Sequence, residues 1–106
     1  MSELELNLYN DMLSIYKEAY KECNYRPTRF REMLISEGGL KTAKKLISKN
    51  SGTDGFVRLW ESHRLDLSVE ALVLKDKYKE LFTDEERKMC IDRLKEYGYS
   101  IIEIDR

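Results

Sequence analysis

The side chains able to do chemistry are few, and they do not gather into a familiar constellation. His63 is the single histidine of this 106-residue chain, and an imidazole that titrates near neutrality suits a general base. The serines that could serve it, Ser51, Ser62 and Ser68, lack the context of a nucleophile elbow. His63 therefore reads as an amphipathic residue at the boundary of a face formed by Phe56, Leu59 and Trp60. A zinc site needs four suitably spaced ligands. The chain offers one histidine and two distant cysteines, Cys23 and Cys90, with no CxxC, so both thiols read as core residues. Asp and Glu together number 20, which makes any one acidic pair uninformative. Glu61, Asp66 and Glu70 lie close in sequence to Arg58 and Arg64, and a buried or half-buried ion-pair network is a more economical reading of them than acid–base catalysis. Phe56, Trp60, Tyr78 and Phe82 read as core aromatics, with Trp60 the one to watch as an interface anchor. No catalytic, metal-binding or cofactor-binding residue is assigned, and a non-enzymatic role is expected.

The informative feature is charge. Between Arg26 and Lys49 the chain carries seven basic residues, Arg26, Arg29, Arg31, Lys41, Lys44, Lys45 and Lys49, against Glu32 and Glu37, a net +5. The whole chain is −1, which leaves −6 on the other 82 residues. A basic island in an acidic chain favours an anionic partner. Lys41, Lys44, Lys45 and Lys49 recur at helical spacing on the side opposite Leu40, Ala43 and Ile47, where they could meet phosphates while the arginines add backbone or base-edge contacts. An acidic protein surface could use the same charges, with Trp60 or Tyr25 as anchors. The alternative is a solvated face balanced by acids of neighbouring helices, chiefly Glu3, Glu5, Glu18 and Glu22.

The elements that must position these residues are helical. One proline and five glycines interrupt the chain, and 106 residues suit one domain around one core. Leu8, Met12, Tyr16, Ala19, Tyr20 and Cys23 fall on one side of a long first helix. Tyr25-Arg26-Pro27 breaks it, and Pro27 suits the first turn of the next helix. Phe30, Met33 and Leu34 stripe that helix. Gly38-Gly39 ends it with a left-handed turn, before Leu40, Ala43, Leu46 and Ile47 resume the spacing. Thr53 or Asp54 can cap a helix carrying Phe56, Leu59, Trp60 and His63, and Ser68 caps another. Thr83 with Glu86 forms a capping box, and Gly98 stops the last helix. The expectation is an all-α, compact single-domain bundle of five or six helices over residues 1–106. Its parts are an N-terminal helix (1–25), a basic helix-Gly-Gly-helix (26–49), a helical remainder (53–98) and a short extended tail (99–106). Apolar runs such as Ala71–Leu74 are far shorter than the ~20 residues a membrane span needs, and the start MSELELN lacks the basic and apolar regions of a signal peptide. With no disulfide framework, a reduced cytoplasmic setting is expected.

The segments Tyr25-Arg-Pro-Thr-Arg-Phe30, Gly38-Gly39, Asp54-Gly-Phe-Val-Arg-Leu-Trp-Glu61, Arg64-Leu-Asp-Leu-Ser-Val-Glu-Ala-Leu-Val-Leu74 and Leu81-Phe-Thr83 resemble a family of small, uncharacterised bacterial proteins. The resemblance spans about two-thirds of the chain and implies a recurrent standalone domain in bacteria or their mobile elements. It implies no activity. The reading is a small helical binding or adaptor module acting on a macromolecular partner, with direct nucleic-acid binding through residues 26–49 as the alternative. The partner-binding candidates are Arg26, Arg29, Arg31, Lys41, Lys44, Lys45, Lys49 and Trp60.

Overall fold

A computed structural model describes residues 2–48 and 54–100. Its helices run α1 (Glu3–Cys23), α2 (Thr28–Glu37), α3 (Gly39–Ile47), α4 (Asp54–Glu61), α5 (Val69–Val73) and α6 (Asp84–Glu96), with 3₁₀ segments at Leu65–Leu67 and Asp76–Leu81. No strand occurs among the described residues, and the expected all-α, compact single-domain bundle is what is found. Its Cα radius of gyration of 12.6 Å matches the ~13 Å of a close-packed chain of about this length. Tyr99 and Ser100 carry no regular structure, and the rest of the expected tail lies outside the described residues.

The helix ends follow from local chemistry. Ser2 and Glu5 close a capping box on α1, one the sequence reading missed. Thr83 and Glu86 close the expected one on α6. Asn24, at φ 52°, ends α1 in the left-handed conformation that asparagine tolerates better than most residues. Ser68 accepts from the Ala71 amide at 3.1 Å and starts α5.

The two glycines between α2 and α3 do different work. Gly38 adopts φ 86° and ψ 171°, a combination essentially confined to glycine. Gly39 instead permits close approach, because a Cβ there would lie 3.0 Å from the Tyr9 Cα of α1. Only the first role was expected. The core beneath is continuous. Leu8 and Met12 of α1, Leu34 of α2, Ala43 and Ile47 of α3, and Cys90 and Leu94 of α6 are all essentially solvent-free. The short α5 is buried along its whole length. Tyr78 is also fully buried and donates a short hydrogen bond to Asp11, which Lys77 meets at 3.0 Å. Tyr20, expected on the inner stripe of α1, is exposed: it lies one residue past Ala19 and so rotates off that face.

Candidate functional site

The basic segment divides into two surfaces with different fates. On α3, Lys44 donates to both carboxylate oxygens of Glu86, at 2.8 and 3.1 Å, with its ammonium 5.5 Å from the Phe82 ring. Glu37, at the end of α2, takes a short hydrogen bond from Lys45 and an ion pair from Lys41 at 3.6 Å. Glu37 and Glu86 thus stand in place of the expected Glu3, Glu5, Glu18 and Glu22. The Lys45 hydrogen bond holds the Glu37 carboxyl below its ordinary range. For Glu86, burial pushes the carboxyl up, but the bonds from Lys44 and the Thr83 amide outweigh it and bring it down. These lysines line a depression of about 510 Å³ that they share with Glu5 and Glu37, so its charge is mixed. Lys49 lies outside the described residues.

The arginines are placed otherwise. Arg26 donates to the Tyr20 hydroxyl at 3.0 Å and sits 4.9 Å from that ring. Arg31 lies 5.9 Å over the Tyr16 ring. Arg29 is exposed. Arg58 of α4 lies 5.8 Å over the Tyr25 ring. Among the described residues none of these four guanidinium groups has a carboxylate partner within ion-pair distance. Arg26 and Arg29 border a cleft of about 590 Å³ between the end of α1, the start of α2, α4 and the start of α5. Its walls include Tyr25, Phe30, Met33, Phe56 and Leu59. The segments Tyr25–Phe30, Asp54–Glu61 and Arg64–Leu74, far apart in sequence, converge here.

The floor of the cleft is polar yet closed. Glu70, only 3% exposed, accepts from Arg93 at 2.6 Å. Arg93 also donates to the Ile47 carbonyl at 3.3 Å, so one guanidinium ties α6 to α5 and to the end of α3. Burial pushes the Glu70 carboxyl up against the pull of Arg93. The expected network of Glu61, Asp66 and Glu70 with Arg58 and Arg64 is therefore not formed as a unit. Arg64 meets Asp66 in a fork at 3.0 and 3.1 Å and Glu22 at 3.9 Å, while Glu70 turns inward and Arg58 stacks on Tyr25.

The remaining candidates fall elsewhere. Phe56, Tyr78 and Phe82 are buried as expected, whereas Trp60 is 45% exposed. Its ring packs edge-on against Tyr97 at 5.4 Å, and it is not among the residues lining the arginine-bordered cleft. Trp60 and the arginines are thus not brought into one pocket. His63 lies beyond α4 rather than on it, with φ 59°. The bonds from the His63 amide to the Trp60 carbonyl at 3.0 Å and from the Arg64 amide to the Leu59 carbonyl at 2.8 Å are the paired closure in which the terminal residue is left-handed. His63 therefore occupies a position usually given to glycine. It lines neither the 590 Å³ cleft nor the 510 Å³ depression. Cys90 is buried, and burial first, then the nearby Glu70 carboxylate, pushes its thiol up to about 12, away from thiolate chemistry.

Fold and site together define a small all-α domain with an arginine-rimmed, apolar-walled surface cleft. No family model, curated protein or solved structure matches the chain. No helix among the described residues is long and apolar enough to cross a membrane. The sequence reading missed Arg58 and Arg93 as determinants of this region. Arg58 lies in the Asp-Gly-Phe-x-Arg block, whose nearby acids suggest ion pairing rather than the ring contact it makes with Tyr25. Arg93 is 23 residues from Glu70, with no local spacing to link them.

Proposed function

We propose that this chain is a non-enzymatic helical binding module that acts on a macromolecular partner, with a protein as the partner. The observation that carries the reading is the unequal fate of its positive charges. The three described lysines of α3 are paired with Glu37 and Glu86, whereas Arg26 and Arg29, at the edge of an apolar-walled cleft, have no carboxylate partner among the described residues. Buried aromatic or aliphatic anchors ringed by polar contacts are the usual energetic centre of a protein interface, and arginine is enriched there over lysine. Three of the five segments behind the resemblance to small bacterial proteins contribute to the walls of this cleft, and a bacterial cytoplasmic setting belongs to the proposal. Cys23 and Cys90 as free thiols agree with it.

The test is reciprocal affinity capture with identification of the captured protein. The double reversal Arg26→Glu plus Arg29→Glu is expected to abolish capture, while Lys41→Glu plus Lys45→Glu leaves it in place. Equal loss from both reversals would remove the cleft from the proposal. Direct nucleic-acid binding is the second reading, favoured by the same arginines, which have no carboxylate partner among the described residues. It predicts a mobility shift that weakens steeply with salt, and no shift at low salt would sink it.

A further inference from the structure

We infer that the cleft between α1, α2 and α4 receives an acidic segment of a partner protein, seating a large apolar side chain among Tyr25, Phe30, Met33 and Phe56 while neighbouring carboxylates pair with Arg26 and Arg29. This inference rests on the protein-binding reading above and names the chemistry of the partner.

Charge complementarity carries it. Among the described residues, the charged ones lining the cleft are Arg26, Arg29 and Glu70. Glu70 is 3% exposed and taken by Arg93, so it offers no accessible negative charge to repel an incoming carboxylate. Arg58 lies 5.8 Å over the ring of the wall residue Tyr25, though it does not itself line the cleft. A planar guanidinium accepts a carboxylate through two parallel N–H bonds, and each group has donors to spare, because Arg26 uses one on Tyr20 and Arg29 uses none among the described residues.

A second feature agrees. The first turn of α2 has no acidic residue and no side-chain cap, and instead carries Arg29 and Arg31. Cations at the positive end of a helix are unfavourable, and a local conflict of this kind is relieved by an anion bound alongside. The volume, about 590 Å³, lies within the roughly 300–1,000 Å³ of clefts that engulf a compact ligand group, enough to take in one or two large side chains. A nucleic acid needs a continuing track of free cations. Beyond the arginines the next described cations along the segment, Lys41, Lys44 and Lys45, are paired with Glu37 and Glu86, which favours a short acidic protein segment over an extended polyanion.

The test is selection from a random peptide library on the full chain. The binders are then measured by fluorescence anisotropy against four proteins: wild type, Arg26→Glu plus Arg29→Glu, Phe30→Ala, and Lys41→Glu plus Lys45→Glu. Selected peptides are expected to place Asp or Glu next to an aromatic or large aliphatic residue. Affinity should fall at least about tenfold in the arginine reversal and also in Phe30→Ala, and stay within about twofold in the lysine reversal. Exchanging Asp and Glu of the peptide for Lys should restore binding to the arginine-reversed protein. Thermal midpoints of the exposed arginine and lysine variants show whether each is folded, and the charge-exchange rescue stands even if Phe30→Ala is destabilised. Peptides without acidic enrichment, or acidic peptides indifferent to the arginine reversal, overturn the inference while leaving a protein-binding module with another surface. A salt-sensitive nucleic-acid shift lost in the same reversal would give the cleft to nucleic acid and overturn both.

Discussion

The lysine face of α3 and the arginine rim at the start of α2 belong to one basic segment, yet the fold treats them in opposite ways. Each described α3 lysine finds a carboxylate. Glu37 serves two of them from the adjacent helix end, and Glu86 reaches the third from 42 residues away. Arg26 and Arg31 find aromatic rings instead, Arg26 a phenol hydroxyl as well, and Arg29 is exposed. Net charge over a window of sequence is therefore a poor measure of charge offered to a partner. What counts is which acids the topology delivers to the same patch, and α6 delivers Glu86 to α3 but nothing to Arg29.

The largest effect expected from breaking this arrangement lies beneath it. Arg93 is shared by the cleft floor and the C-terminal end of α3. Arg93→Met strands the Glu70 carboxylate in the core and should cost about 3–5 kcal/mol in urea unfolding. The double change Glu70→Leu plus Arg93→Met should recover most of that loss, since an apolar pair of similar volume needs no desolvation of charge. A single-mutant cost below about 1 kcal/mol would show that the pair is not shielded from water and that the floor is softer than its burial implies.

Next in size is a contrast between two charge reversals. Lys44→Glu sets a carboxylate against Glu86, which also closes the cap of α6, and should lower stability by about 1 kcal/mol. Arg29→Glu loses no ion pair among the described residues and puts a negative charge in the first turn of α2, so stability should hold or rise by about 0.3–1 kcal/mol. Thermal unfolding of the two variants reads this directly. Equal destabilisation would erase the distinction between the two surfaces.

The acid limb of stability sharpens the same contrast. Burial alone would raise the carboxyls of Asp11 and Glu86, but hydrogen bonds from Tyr78 and Lys77 to the first, and from Lys44 to the second, outweigh it and hold both below their ordinary value. Folding therefore favours the ionised forms. Their contribution is full above the unfolded carboxylate pKa of about 4 and is lost as pH falls through the lower folded values. Glu70, raised by burial, works in the other direction and softens the slope. Melting temperature against pH should show a shallower acid limb in Lys44→Met and an unchanged one in Arg29→Met. Parallel curves for Lys44→Met and wild type would mean that Lys44 does not set the Glu86 carboxyl.

Much of the scaffold was readable because its signals are local. The Thr83–Glu86 box, Ser68, the stripe of Leu8 and Met12, and the Gly38 turn each depend on residues within a few positions of one another. The cleft was not readable, because it is assembled from segments that meet only in space, and because the acids that pair with the α3 lysines are chosen by helix packing. Gly39 shows the limit well. Its spacing looks like part of a turn, but its need for glycine comes from Tyr9, thirty positions earlier in the chain. Asn24 and His63 show another limit, since a left-handed helix end with no glycine leaves only a faint trace in sequence.

That trace leads to the smallest predicted effect. His63 and Gly98 close α4 and α6 by the same pair of backbone bonds, at 3.0 and 2.8 Å for one and 3.0 and 2.9 Å for the other, and both have positive φ, 59° and 80°. A histidine in that conformation carries a steric penalty that glycine lacks. If His63 is there only to end the helix, His63→Gly should be neutral or stabilising by up to about 1 kcal/mol, and His63→Val, with a branch at Cβ, should be destabilising by more than that. Partner capture should be unchanged by the glycine variant, since the imidazole does not line the cleft. Loss of capture at full stability in His63→Gly would instead extend the binding surface from the arginine rim around the end of α4.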